Sequence, residues 1–258
     1  MHYLDFLGEL HTRLEPRHYL EIGVRWGQSL GRSRCCSIGI DPAFAIDREL
    51  HAEVHLFRTT SDEYFSRPDP LAPTGGEPFD LAFIDGLHLF EFALRDFVNT
   101  ERHSRRSGVI VFDDILPRSV VEANRERATS DWTGDIYSIV PVLAEYRPDL
   151  LTIPVDTRPT GLLLVMGLDP DSTVLADNYD DIVARFRRPD PQPVPHELMD
   201  RTFVQPARRV LDSAILPLLA QEARSGSSAP VVDAVRRAAS DALGAAYCRS
   251  QEPVVQEG

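Results

Sequence analysis

Asp85, His88, Asp113 and Asp114 are the residues of this chain whose types and spacing best suit chemistry. Asp85 and His88 follow the run Phe79-Asp80-Leu81-Ala82-Phe83-Ile84, and the acidic pair follows Val109-Ile110-Val111-Phe112. A histidine three residues past a carboxylate offers a proton carrier near neutral pH. Three carboxylates in one place repel each other unless a cation joins them. They meet only if the two runs are neighbouring strands pointing the same way. Both runs are apolar almost throughout, as expected of parallel strands buried on both faces. The stretch between them places Phe90, Ala93, Leu94 and Phe97 on one helical face, with Glu91 and Arg95 spaced to pair on the other. Strand, crossover helix and strand make a right-handed parallel unit, so both acidic tips reach one edge of the sheet. Ligand sites of open α/β sheets lie at that edge.

Other elements must build this sheet around the pair. Leu4, Leu7, Leu10 and Leu14 predict an amphipathic helix over residues 3–14, ended by Pro16. His18 to Val24 reads as a strand running into a turn and helix start at 25–30. Cys35 to Asp41 and Val54 to Thr60 are two more strands, the latter followed by a helix from about Ser61. Pro117 opens a helix reaching about Thr129, and Ile136 to Tyr146 is another. Leu150 to Asp156 and Gly161 to Leu168 form an antiparallel hairpin. The expectation is an α/β fold: a doubly wound, seven-stranded sheet with an antiparallel last strand, occupying residues 1–170. Residues 171–258 read as a helical C-terminal extension with a flexible tail. Within it, 176–188 look helical, 189–195 are a proline-rich linker, and 207–224 carry an apolar stripe interrupted by Pro217. Residues 225–228 are a flexible joint, 231–247 a second amphipathic segment, and the last ten residues are expected to be disordered.

Composition narrows the function classes. A net charge of -13 argues against nucleic-acid or anionic-membrane partners. No apolar run approaches the roughly 20 residues of a membrane span, and no basic region precedes an apolar stretch at the start, so a cytoplasmic protein is expected. Three cysteines, two of them the neighbours Cys35 and Cys36, do not suggest a disulfide framework. All 27 Lys+Arg residues are arginine, which excludes a Walker phosphate loop, Schiff-base chemistry and a lysine base.

A second constellation suits a nucleoside. Glu21, Gly23 and Gly27 follow an apolar strand, where glycines let backbone N–H groups approach a ligand. Arg25 fills the position that a pyrophosphate-binding loop leaves to glycine, which disfavours a dinucleotide. Asp41 ends the next strand, where a carboxylate can accept both ribose hydroxyls. Ser61 and Asp62, past the third strand, can border the base; Ser61 serves equally well as a helix cap.

Together these motifs resemble class I S-adenosylmethionine-dependent methyltransferases over roughly residues 17–168. Glu21, Gly23 and Gly27 resemble that family's cofactor loop, Asp41 its ribose acid, and the terminal hairpin its reversed last strand. Ile84-Asp85-Gly86-Leu87-His88 with Phe112-Asp113-Asp114 is similar to metal-dependent O-methyltransferases of natural-product sugars, such as the macrocin and mycinamicin enzymes. The resemblance implies a Rossmann-like sheet, S-adenosylmethionine as cofactor, Mg²⁺ on Asp85, Asp113 and Asp114, and His88 as general base. It also implies that Trp132-Thr133-Gly134-Asp135 lies near the acceptor pocket.

The energetics of that reaction call for both parts. A sugar hydroxyl has a pKa near that of water, about 15.7, against roughly 6.5 for a histidine base. The gap of about nine units corresponds to roughly 12 kcal/mol. A cation that stabilises the developing alkoxide narrows it, and hard carboxylate oxygens suit Mg²⁺. The expected partner is therefore a small-molecule hydroxyl acceptor, a sugar or polyphenol. Two other readings stay open here: an NAD(P)-dependent oxidoreductase on a similar sheet, and a non-catalytic binding or assembly protein. The apolar stripes at 210–219 and 231–243 also suggest self-association, or a lid over the acceptor.

Overall fold

A computed structural model describes residues 1–225 and 231–247. One sheet has the strand order β3-β2-β1-β4-β5-β7-β6-β8. β1 (His18–Ile22), β2 (Cys36–Ile40), β3 (Val54–Phe57), β4 (Phe79–Ile84) and β5 (Ser104–Phe112) pair in parallel. β7 (Leu162–Met166) runs antiparallel to both β5 and β6 (Leu151–Asp156), so the reversed strand is present. An eighth strand was not foreseen: β8 (Gln205–Pro206) adds two residues alongside β6.

Helices cover both faces. One side carries α3 (Phe90–Arg102), α4 (Ile139–Tyr146) and α6 (Tyr179–Phe186), packed over Ala82, Ile84, Ile110 and Phe112. The other carries α1 (Tyr3–Leu14), α8 (Ala207–Leu211), α9 (Ile215–Ser225) and α10 (Val232–Leu243), packed over Leu81, Phe83, Val109 and Val111. The apolar stripes of the C-terminal extension are thus buried within the chain itself, with Val210, Leu211, Ile215, Leu216 and Val235 fully covered. The break between α8 and α9 falls at Asp212-Ser213-Ala214, not at Pro217, which sits harmlessly in the first turn of α9. Residues 226–228 of the expected joint and 249–258 of the expected disordered tail lie outside the described residues.

Three local expectations fail for identifiable reasons. No α-helix follows the glycine loop; a single 3₁₀ turn at Leu30–Arg32 leads into β2. Arg25 and Gly27 hold positive φ values of 48° and 75°, which a right-handed helix cannot continue through. The helix expected from Pro117 is a series of turns. Its backbone donors are spent on tertiary partners: Arg118 N donates to the Glu122 carboxylate, and Arg125 N to Asp190. Asp190 belongs to the proline-rich segment 189–195, which is docked, with Gln192 and Val194 buried. Glu91 and Arg95 do not pair with each other. Glu91 binds Arg125, and Arg95 forks onto Asp62.

Among the described residues no helix is long and apolar enough to cross a membrane.

One buried histidine makes stability depend on pH. His11 of α1 is buried edge-on to Tyr19, ring centroids 4.6 Å apart, with neither ring nitrogen hydrogen-bonded. Burial, helped by the Arg34 charge, pushes its pKa down from 6.5 to about 4. The folded state therefore resists a proton that the unfolded chain accepts. This contribution is complete above pH 6.5 and lost as pH falls towards 4, about 3 kcal/mol in all. Urea unfolding at several pH values should show the native protein losing that much relative to His11→Leu across this window. Parallel curves for the two proteins would exclude it.

Candidate active site

The strand ends are stitched in register at one edge of the sheet. Asp85 N donates to Ile22 O at 2.8 Å, Asp113 N to Ile84 O at 3.1 Å, and Gly23 N to Ile40 O at 2.9 Å. Gly23, Asp41, Asp85 and Asp113 therefore stand in a row just past the carboxyl ends of β1, β2, β4 and β5. Gly23 must lack a side chain: a Cβ there would lie 1.8 Å from the Asp85 carbonyl oxygen.

On this edge Asp85, His88 and Asp114 converge, each offering a ligand atom within 4.8 Å of the others. His88 Nε2 lies 3.1 Å from Asp85 Oδ1, and Nδ1 lies 3.0 Å from Asp114 Oδ2. Nδ1 is also 2.8 Å from the Trp132 carbonyl, which only accepts, so Nδ1 carries a hydrogen. Nε2 is then the nitrogen that can give up or take a proton. Burial works against a charged ring here. The Asp85 hydrogen bond and the charges of Asp114 and Asp85 outweigh it, raising His88 to about 9. Burial raises Asp114 to about 6, although the nearby His88 charge pulls the other way.

Asp113 does not join this trio. Its Oδ1 accepts from Asp114 N at 2.8 Å. Strand alternation continues Val111's face, so Asp113 lies towards α1, where it opposes ionisation of Tyr3. Burial, followed by repulsion from Asp114 and Asp85, pushes Asp113 well above the usual carboxylate range. Asp114 turns the other way because its φ is +62°, outside strand geometry.

Two features of this site are not read from local spacing. Tyr3 of α1 stacks on Phe83, centroids 6.3 Å apart, and burial, then the charges of Asp113, Asp85 and Glu21, raise its pKa. Its backbone is tied to the β6–β7 turn, Tyr3 N donating to Arg158 O at 3.0 Å. Trp132 stacks on the His88 ring at 5.2 Å and 14°. The Trp132–Asp135 segment clamps the histidine loop further: Asp135 Oδ1 accepts from Phe90 N at 2.7 Å at the start of α3 and its other oxygen binds Arg125.

The remaining predicted residues are placed as follows. Glu21 is fully buried and accepts from the Tyr19 hydroxyl and the Ser29 hydroxyl, each at 2.7 Å. Burial raises it to about 8 despite those bonds. Gly27 closes the loop, its N donating to Val24 O at 2.8 Å. Asp41 accepts from Arg25 N at 2.7 Å and Ala43 N at 2.6 Å, tying the glycine loop to the end of β2. Thr60, not Ser61, caps α2 (Ser61–Phe65), in a reciprocal box with Glu63. Asp62 is held by Arg95.

Residues 20–115, from β1 through the acidic pair to Ile115, match the profile of a family described as a methyltransferase domain. Those residues are thus similar to a methyltransferase domain. Comparison with curated proteins found no match. Among solved structures, this chain is similar to the O-methyltransferase TomG from Streptomyces achromogenes, involved in tomaymycin synthesis and solved with S-adenosylmethionine. The identity is 22% over 64% of this chain and 78% of TomG, with a TM-score of 0.44. It is also similar to an O-methyltransferase from Bacillus cereus solved with S-adenosylhomocysteine, 19% identical over 63% of this chain and 79% of that one, TM-score 0.44.

Proposed function

We propose that this chain moves a methyl group from S-adenosylmethionine to a hydroxyl of a sugar-containing or other small-molecule natural product, assisted by a divalent cation such as Mg²⁺. One observation carries the reading: a carboxylate–imidazole–carboxylate cluster sits on the sheet edge beside the glycine loop of the segment similar to a methyltransferase domain.

The donor set fits a hard cation. Asp85 and Asp114 supply oxygens, and Asp113 braces the turn between them by accepting Asp114 N. A bound divalent cation would stabilise negative charge on the acceptor oxygen. The chain's own residues do the rest. His88 Nε2 takes the hydroxyl proton, while Trp132 holds the ring by stacking and through its carbonyl. A ring flanked by two unneutralised carboxylates keeps its own proton, so base action at Nε2 requires those charges to be taken up. Gly23, Gly27 and Asp41 shape the cofactor cradle, with Asp41 towards the ribose and Ser61 and Asp62 on the side of the base. Glu21 supports the loop from beneath through Ser29. A cytoplasmic location remains part of this reading, whereas the stripes that suggested a homo-oligomer are covered within the chain itself.

Transfer of a labelled methyl group to a panel of glycosides and polyphenols tests it. Activity should vanish in excess chelator and return with Mg²⁺. Full activity in chelator would remove the cation from the mechanism.

A further inference from the structure

The geometry points to a binding site for a phosphate group, free or as the monoester of a small molecule, between α1 and the turn at residues 32–35. It lies at the opposite edge of the sheet from Asp85, His88 and Asp114.

A cavity of about 400 Å³ runs along the last turns of α1, lined by His11 and Thr12 on one side and by Arg32, Arg34 and Cys35 on the other. Pro16 also lines it. Pro16 leads into β1 and Cys35 into β2, so the cavity sits at the amino ends of those strands. Gly23, Asp41 and Asp85 stand past the carboxyl ends. The five residues of β1 rise roughly 16 Å in between. A ligand held here is therefore not the reacting substrate.

His11 is the buried wall of this cavity. It is 6% exposed, and neither ring nitrogen has a hydrogen-bond partner among the described residues. A neutral imidazole carries one donor and one acceptor, and native interiors seldom leave such groups unpaired, so the ring calls for a ligand. The opposite wall supplies charge. Arg34 Nη1 donates to Gly31 O at 3.0 Å and to Ser33 O at 2.8 Å, which steadies the guanidinium and leaves Nε and Nη2 unpaired among the described residues. Its charge already acts on His11. The ion pair of Arg32 with Asp5 is 3.9 Å long, beyond hydrogen-bond reach. Its stem runs along α1, Cδ standing 3.8 Å from where a Gly8 Cβ would be. Both arginines are exposed, so they can close on a ligand without moving the backbone. The one acid lining the cavity, Glu15, already accepts from Arg224 at 3.1 Å.

The donors thus come from two walls, an imidazole N–H on α1 and two guanidinium forks on the turn. A tetrahedral phosphate presents oxygens to both walls at once. A planar carboxylate satisfies one fork and leaves the imidazole unmet. The second ring nitrogen can accept from a P–OH or from a hydroxyl of the ester. The cavity is within the range of small-molecule sites and has room for such an ester.

Calorimetric titration of the full chain with inorganic phosphate, glycerol 3-phosphate and acetate, in a phosphate-free buffer, tests the site. Both phosphates should bind at least about tenfold more tightly than acetate. Arg32→Gln and Arg34→Gln, at exposed positions, should each weaken phosphate about tenfold or more, the worth of one charge-assisted hydrogen bond. His11→Phe keeps an aromatic ring edge-on to Tyr19, removes both nitrogens, and should weaken phosphate by a similar factor. Circular dichroism checks that each variant is folded, and the two arginine variants decide the matter if His11→Phe is not. Tighter binding of glycerol 3-phosphate supports the site with an ester as its ligand, and equal or tighter binding of inorganic phosphate supports it with the free ion. A native chain that binds neither phosphate, acetate bound as well as phosphate, or phosphate affinity retained in both arginine variants overturns the assignment.

Discussion

His88→Asn should lower methyl transfer by about 10²- to 10⁴-fold, the usual worth of a general base, while leaving S-adenosylhomocysteine affinity unchanged. Asparagine is chosen for two reasons. Position 88 has φ +57°, a left-handed conformation that asparagine tolerates better than alanine. Its amide can also donate to the Trp132 carbonyl as Nδ1–H does. The variant therefore removes Nε2 with little disturbance to the loop. Single-turnover transfer separates chemistry from product release, and calorimetry reports cofactor binding. Turnover within a few-fold of native would take His88 out of the proton-transfer step. Lost cofactor affinity would instead assign it a binding role.

Gly134→Ala should damage both stability and turnover. Gly134 has φ +58°, and a Cβ there would meet the His88 carbonyl oxygen at 1.7 Å and His88 Cβ at 3.1 Å. Neither wall can yield cheaply, because Trp132 is stacked on His88 and Asp135 is fixed to Phe90 and Arg125. We expect a loss of about 2–4 kcal/mol in urea unfolding and about a hundredfold in turnover if the histidine moves by about 1 Å. Gly75→Ala is the control. Its φ of +68° imposes the same backbone strain, but nothing lies within 4 Å of the added methyl, so it should cost only about 1 kcal/mol. Equal costs at the two positions would mean that the collision with His88 is relieved without consequence.

The edge that gathers Asp85, His88 and Asp114 was legible because β4 and β5 are buried on both faces and end in acids. Continuous apolar runs announce such strands, and the crossover rule then decides where their tips go. What each acid faces was not legible. Asp113 and Asp114 are neighbours in sequence, yet strand alternation sends the first towards Tyr3 and a left-handed turn sends the second to His88. Tyr3 itself reaches the site through the docking of a helix some eighty residues away in sequence, which no local pattern encodes. Long-range partners also overrode local ones. A Glu91–Arg95 helix pair is worth only about 0.3–0.5 kcal/mol, whereas Arg95 forks onto Asp62 and Glu91 receives two N–H groups of Arg125. Likewise, residues 117–129 contain helix-forming residues, but their fate is decided by Glu122 and Asp190 accepting their backbone donors. The amphipathic stripes of 207–243 were plain in the sequence; that they complete the second layer over the sheet was not.

That layer has a consequence for biosynthesis. All eight described strands are synthesised once residue 206 is made, but Leu81, Phe83, Val109 and Val111 stay incompletely roofed until α8, α9 and α10 follow. At about 5–20 residues per second, residues 207–243 take several seconds to arrive. During that interval the nascent chain presents a greasy surface to its surroundings, so premature stop codons after β8 should yield insoluble fragments that burden chaperones, even with every strand present.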